Sequence, residues 1–400
     1  MKTRSRTSRI VMIVIPTILL VLAAGIGEAQ TSRNSDLFSP VYQIYQYIQS
    51  YFYQPEQIGD QRALYGAMKG VVQQLGDPYS EFLDPEDRRR LNQSVAKGVG
   101  SVGIELTISD GILTVITPMI GTPAETAGIV AGDLILAIDG DSTEGVSLSE
   151  AAYLISGDIG SEVVLTVRHE DREIVDIAIS RAIIEIADVE ASLRDDGRIG
   201  YLRLYRYDPG TTQELDEALA WLDPEGLTGL ILDMRNNPGG LLNEAIDIAS
   251  RFIDEGTVLI TSERGSGERT YASSGNDVPN LPLAILISRG TASASEITAA
   301  AIRDNNMGVL VGETSYGKGV FQQLIDFLDG SVLKLTTGEY FTPDGAVVNG
   351  VGLTPDIVAS EGEDPIDLAI AWIRAHEGIE MPIDLDAEFP KAPTEPGTAP

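Results

Sequence analysis

The stretch from Ala284 to Gln322 constrains the fold more than any other part of this 400-residue chain. It reads A-I-L-I-S-R-G-T-A-S-A-S-E-I-T-A-A-A-I-R-D and, after a short gap, G-V-L-V-G-E-T-S-Y-G-K-G-V-F-Q. The apolar run 284–287 predicts a buried strand that ends in a turn at Arg289 and Gly290. Small residues lead into a helix over about 295–303. A second apolar run, 309–311, leads on to Lys318, held between two glycines. Strand, tight turn, hydroxyl and helix is the arrangement that places a nucleophile at a helix N-terminus, where backbone N–H groups face a developing oxyanion.

Ser293 also has a plainer reading. Ser293-Ala294-Ser295-Glu296 fits S-x-x-E, a capping box that satisfies a helix end without any chemistry. A nucleophilic serine, by contrast, needs a proton acceptor. The only histidines, His169 and His376, stand among charged residues with surface character, and lysine occurs only at 2, 69, 97, 318, 334 and 391. Of these, Lys318 follows an apolar strand and sits in a glycine turn, a setting that predicts burial. Burial favours the neutral amine, the form a general base requires. Spacing alone leaves the cap standing beside a Ser–Lys pair.

Composition narrows the function classes. The net charge of −32 argues against nucleic acid as a partner, because phosphate binding needs clustered Lys and Arg. No cysteine is present, so thiolate catalysis, disulfides and cysteine metal sites are excluded. Two distant histidines make a zinc site unexpected, and no G-x-x-x-x-G-K-[ST] loop occurs, so neither metal nor cofactor is expected.

The chain divides by pattern. Residues 1–29 carry Lys2, Arg4, Arg6 and Arg9 before an apolar run over 10–26, then Gly27-Glu28-Ala29. This reads as a signal peptide or a membrane anchor that exports the rest, which predicts an extracytoplasmic location. Residues 36–95 read as helical, with Val41, Ile44, Tyr45, Ile48 and Phe52 at 3–4 spacing, and this region is a candidate dimerisation arm. Residues 98–183 read as short strands with turns at Asp110-Gly111 and Asp139-Gly140 and a helix over 148–155. From 186 to 380 strands and helices alternate: 197–204 as an alternating strand, 211–222 a helix, 227–234 a strand, then Arg235-Asn236-Asn237-Pro238-Gly239-Gly240 and a helix over 241–253. Residues 381–400, rich in Pro, Glu and Ala, read as a disordered tail.

G-T-A-S-A-S-E-I, Asp304 and G-E-T-S-Y-G-K-G-V-F-Q together resemble the signature of the C-terminal processing peptidases, or tail-specific proteases. D-M-R-N-N-P-G-G-L and P-A-E-T-A-G-I-V-A-G-D-L-I-L-A-I-D-G extend the resemblance, which runs from about Leu64 to Val358. It implies a mixed α+β and α/β molecule: a helical N-terminal region, a small β-rich PDZ domain and an α/β protease core with a mixed sheet. It further implies Ser293 as nucleophile, Lys318 as base, Gln322 as the group that orients the lysine, and the amides of Gly239 and Ala294 as oxyanion donors. A PDZ domain captures a peptide C-terminus as an added strand. The resemblance places its carboxylate loop at Gly100, Ser101, Val102 and Gly103 and the pairing strand along Ile104 to Leu106. Arg168, ending a strand, would couple that domain to the active site, although a strand-end arginine is ordinary on a surface. The implied partners are polypeptides with apolar C-termini. A non-catalytic scaffold that only holds such tails is the alternative.

Overall fold

The computed structural model describes residues 37–94, 98–170, 173–184, 187–275, 278–379 and 381–382. The predicted leader, the tail from 383 onward and the junction at 185–186 lie outside the described residues. The chain divides between Gln74 and Leu75 into two compact units.

The first unit holds helix α1 (37–51) and helix α2 (Asp60–Gln73). The 3–4 periodicity of α1 does not mark a buried stripe: Val41, Ile44 and Phe52 are exposed, and Tyr45 and Ile48 are only half-buried. Periodicity fixes which residues share a face but not what covers that face.

The second unit begins with strand β1 (Glu81–Leu83) and helix α3 (Pro85–Ser94). The Asp84 carboxylate starts α3 by accepting from the N–H groups of Glu86 (2.8 Å) and Asp87 (2.9 Å), and Pro85 fits the first turn, where its missing N–H costs nothing. Next come β2 (Ile104–Ser109), β3 (Ile112–Pro118), a short helix α4 (Pro123–Thr126), β4 (Leu134–Ile138), β5 (Asp141–Ser142), α5 (Leu148–Ile155), β6 (Glu162–Arg168) and β7 (Ile174–Ser180). Their sheet runs β2-β3-β4-β6-β7 with β5 on β4, every pair antiparallel. The β2–β3 hairpin closes through Asp110 (φ 51°) and Gly111 (φ 77°), two positive φ values that match the twist of paired strands. Val102, Leu113, Val115, Ile135, Leu165 and Val167 pack its core with Ala151 and Ile155 of α5. Arg181 locks the sheet to that helix, donating to the carbonyls of Ile155, Glu162 and Leu154.

The remainder comprises β8 (Val189–Arg194), β9 (Ile199–Leu204), α6 (Thr211–Leu222), β10 (Gly229–Asp233), α7 (Leu242–Ser250), β11 (Thr257–Glu263), β12 (Gly267–Ala272), β13 (Leu283–Ile287), α8 (Ala294–Asp304), β14 (Val309–Gly312), β15 (Val320–Asp326), β16 (Val332–Phe341), β17 (Ile357–Val358) and α9 (Pro365–Ala375). The main sheet runs β17-β14-β13-β10-β9-β8, parallel except for β8 against β9, so it is mixed. Strand β9 does not alternate in burial: all six residues are buried, because both faces are covered. A second sheet joins β1-β16-β11-β12, with β15 on β16. Here β1, in a region read as helical, pairs antiparallel with β16 through Glu81–Lys334 and Leu83–Val332. The turns that follow β10 and β13 leave the carboxyl ends of neighbouring parallel strands, where open α/β sheets place their sites.

Candidate active site

The turn after β13 delivers Ser293 to the N-cap of α8 with φ 55° and ψ −117°. A non-glycine residue in such a conformation costs on the order of 1–3 kcal/mol and persists only where its surroundings over-determine it. Here they do. Thr291 Oγ1 donates to Met234 O at 2.8 Å, Ala292 N–H to Asn237 O at 3.0 Å, and Ser295 Oγ to the same carbonyl at 3.1 Å. The Ser293 turn is thereby stitched to the 234–240 turn that leaves β10.

Gly239, in that second turn, lies directly against the helix start. A Cβ on it (φ +94°) would stand 2.7 Å from Ala294 N and 3.0 Å from Ser293 Cβ. The two predicted oxyanion residues are therefore neighbours. In this arrangement the Gly239 N–H donates to Asn237 Oδ1 at 2.9 Å, an engagement the sequence did not foretell. Behind the turn, fully buried Asp233 takes Arg203, Arg235 and the Tyr201 hydroxyl (2.7 Å). Burial pushes its carboxyl up, but the arginines and the tyrosine outweigh this and hold it below the ordinary carboxylate range.

Ser293 and Lys318 meet at one carboxylate. Glu296, completely buried on α8, accepts at Oε2 from Ser293 N–H (2.8 Å) and Lys318 N–H (3.0 Å). Its Oε1 accepts from the Ser315 hydroxyl (2.6 Å) and Gly317 N–H (2.7 Å). S-x-x-E pointed to the first of these contacts as a local cap; the others come from residues about twenty positions later, beyond the reach of any local signature. Burial lowers the Lys318 amine below its ordinary value, while Glu105 and Glu296 pull it back up and Lys334 adds to the lowering. The Lys318 Nζ lies 4.9 Å from the centre of the Tyr79 ring.

Glu105 was not singled out by the sequence. It sits on β2, the strand expected to pair with a peptide, yet its carboxyl feels Lys318, Lys334 and Arg206 of the core; burial raises it and those cations oppose the rise. No sequence signal marks this approach, because Lys318 and Lys334 lie more than two hundred residues along the chain and Arg206 about one hundred.

Other predicted residues are placed differently. Gln322 does not reach for the lysine: its Nε2 donates to Thr336 Oγ1 at 3.2 Å, where a bulge after Phe321 shifts the β15–β16 register. Gly100 and Ser101 have their N–H groups taken by Gly157 O (2.8 Å) and Ala182 O (2.9 Å), and Gly103 N–H contacts Ser101 Oγ at 3.4 Å. These three amides are thus part of the domain's own bonding in this structure. Val102 is buried beneath the loop, and β2 carries Ile104 and Leu106 with both side chains half-buried. Arg168 pairs with Leu134 and Ile174 at the end of β6. It lines a cleft of about 860 Å³ together with Ile116, His169, Arg289 and Tyr316. Among the described residues, no cluster of His, Asp and Glu could hold a metal ion, and no helix is long and apolar enough to cross a membrane.

Comparison with known proteins bears on the family and the domains. The sequence matches peptidase family S41 over residues 198–359, a PDZ domain over 114–169, and the N-terminal domain of the activating protease CtpB over 23–87. It is 34% identical to the carboxy-terminal processing protease CtpA of Bacillus subtilis, over 84% of this chain and 71% of that protein. With the carboxyl-terminal-processing protease of Picosynechococcus sp. it shares 36% identity, over 80% of this chain and 78% of that protein. Among solved structures, the photosystem II D1 C-terminal processing protease superposes with a TM-score of 0.72 at 30% identity, covering 83% of this chain and 94% of that one.

Proposed function

The chain belongs to the carboxy-terminal processing serine proteases of peptidase family S41, and from that premise we propose that it cuts polypeptides through a Ser293–Lys318 dyad after capturing their C-termini on its PDZ domain. The observation that carries the reading is the convergence of the Ser293 and Lys318 main chains on Glu296. Neutral Lys318 takes the Ser293 Oγ proton as Oγ attacks the scissile carbonyl. The tetrahedral oxyanion is met by the amides of Ala294 and Gly239, the latter after its N–H turns away from Asn237 Oδ1. The lysine proton passes to the departing amine, leaving an acyl-enzyme. Water, deprotonated by Lys318, then releases the new C-terminus and frees Ser293.

Gln322, two residues into β15, orients the lysine only if it exchanges Thr336 for Lys318. The strand from Ile104 to Leu106 takes the tail, and Arg168 faces the cleft between the PDZ strands and the core, the place from which tail binding would be sensed. The basic and apolar start of the chain supports an extracytoplasmic location with export by that segment.

Incubation with an unfolded polypeptide bearing an apolar C-terminus, read by mass spectrometry, tests this. Internal cuts that vanish in both Ser293→Ala and Lys318→Ala, by about 10⁴-fold or more, are expected. Cleavage surviving in Lys318→Ala would remove the dyad. Binding of the tail without cleavage by the parent would favour a scaffold.

A further inference from the structure

One side chain gathers the N–H groups of Ser293 and Lys318, and another gathers their carbonyls. Glu296 Oε2 accepts from both N–H groups, at 2.8 and 3.0 Å. The Tyr340 hydroxyl lies 3.1 Å from Ser293 O and 2.5 Å from Lys318 O. A phenol has one hydrogen, so that donation is shared between two carbonyls and is strongest where both stay in place. Tyr340 holds the lysine turn a second way, since its own N–H donates to Gly319 O at 2.9 Å. Both side chains are buried. They come from different elements, Glu296 from α8 and Tyr340 from β16, and so tie the Ser293 turn of the main sheet to an inner strand of the second sheet.

We propose that Glu296 and Tyr340 are positioning residues that form a two-point main-chain clamp fixing the separation of Ser293 and Lys318. Neither side chain needs to touch substrate. The clamp matters because Ser293 is strained and Lys318 lies in a glycine turn: two segments about 25 positions apart hold a reactive distance only if something spans them. A carboxylate suits the N–H side, since Glu296 is in the first turn of α8, where the helix dipole favours negative charge. A neutral hydroxyl suits the carbonyl side. Burial and the neighbouring Glu296 charge hold the Tyr340 phenol far above its ordinary value, so it remains a donor at any working pH.

This inference rests on the Ser293–Lys318 reading, and its test separates the two. Tyr340→Phe removes one oxygen and keeps the ring, and is measured beside Glu296→Gln, Ser293→Ala and Lys318→Ala in the full chain. The expected result for Tyr340→Phe is kcat lower by about 10- to 100-fold. KM stays within about twofold, because no substrate contact is lost. Labelling of Ser293 by a small fluorophosphonate should slow in parallel, and the pH at which kcat/KM rises should stay put. Glu296→Gln should also lower kcat, but it should move that rise to lower pH, because the Glu296 charge favours protonated Lys318. A merely structural role for Tyr340 would lower the melting temperature without splitting kcat from KM or slowing the labelling of Ser293. Parental kcat in a folded Tyr340→Phe enzyme overturns the clamp even if Glu296→Gln does not fold. Activity retained in Ser293→Ala and Lys318→Ala instead overturns the dyad on which the clamp stands.

Discussion

The core side and the PDZ side of the site are held by different kinds of contact. On the core side, the turns bearing Ser293 and Gly239 are joined by buried hydrogen bonds through Thr291, Ala292 and Ser295, with the Asp233 cluster behind them. On the PDZ side, Glu105 approaches Lys318 through charge. Thr117 lies so close beneath Gly290 that a Cβ there would stand 2.6 Å from its hydroxyl, and Arg289 pairs with Glu170 at 3.1 Å where both are exposed. Buried, mutually dependent bonds make one geometry and penalise departures from it. Where it faces Lys318 and the Ser293 turn, the PDZ side meets the core through a charge, a close contact and a solvated ion pair, softer links than buried hydrogen bonds. Its helix α5 is anchored separately, through Ser149–Glu81 and Ser156–Ser94. The core wall is therefore where substitutions should cost rate and stability, and the PDZ wall is where they should change conditions of action.

Gly239→Ala should break the core wall most. Its Cβ would press within 2.7 Å of both Ala292 O and Ala294 N, at a φ of +94° that alanine resists. Under the proposed mechanism, loss of the Gly239 donor alone predicts a fall in kcat of about 10²–10³, read on a peptide substrate. Asp233→Ala comes next. It leaves Arg203 and Arg235 without their buried partner, which predicts about 3–5 kcal/mol of lost stability in a denaturant melt. The same carboxylate gives a pH test. Its folded pKa is depressed, so its contribution is complete above the ordinary Asp value of about 3.9 and disappears as pH falls through the lower folded value. Asp233→Asn should therefore flatten the acid limb of the stability curve. A parental acid limb would show that the cluster is not what holds the turn.

Local order was legible wherever one residue type decided it. The run that became β13 was apolar throughout and that of β10 apolar up to Asp233, because both their faces are buried, helix 211–222 carried its own period, and Asp110-Gly111 dictated its hairpin. Ser293 and Lys318 stood out as candidates because a small-residue turn before a helix suits a nucleophile and a buried-looking lysine is conspicuous in so acidic a chain. What stayed illegible depends on partners far along the chain. Glu296 satisfied a local signature, so nothing in S-x-x-E announced the N–H groups of Gly317 and Lys318. The oxygen that sets Gly239 apart belongs to Asn237, only two residues away, but a side-chain rotamer decides it. Gln322 went to Thr336 because a one-residue bulge shifts the register, and pattern alone does not report bulges. Glu105 drew no reading of its own within the strand from Ile104 to Leu106, since its cations belong to another domain.

On the PDZ wall the larger expected effect is a displacement of the pH profile. Burial depresses the Lys318 amine, and Glu105 partly restores it. Removing that charge by Glu105→Gln should let Lys318 lose its proton at lower pH, so the rise of kcat/KM moves toward acid while maximal kcat stays near the parental value. A profile that does not move, or moves toward alkali, would show that β2 leaves the lysine in the working enzyme, and the two walls would then be separate during catalysis.

Arg289→Ala should do least. The pair with Glu170 is solvent-exposed on both sides, with the arginine side chain 60% accessible, and such pairs contribute about 0–1 kcal/mol. Stability should be unchanged within about 0.5 kcal/mol. Because Arg289 lines the cleft beside Arg168, any effect should fall on KM for a substrate with a free C-terminus and should shrink as salt screens the charges. A loss in kcat comparable to that of Gly239→Ala would instead mean that this exposed contact positions the nucleophile turn, and the PDZ wall would have to be counted as part of the rigid site.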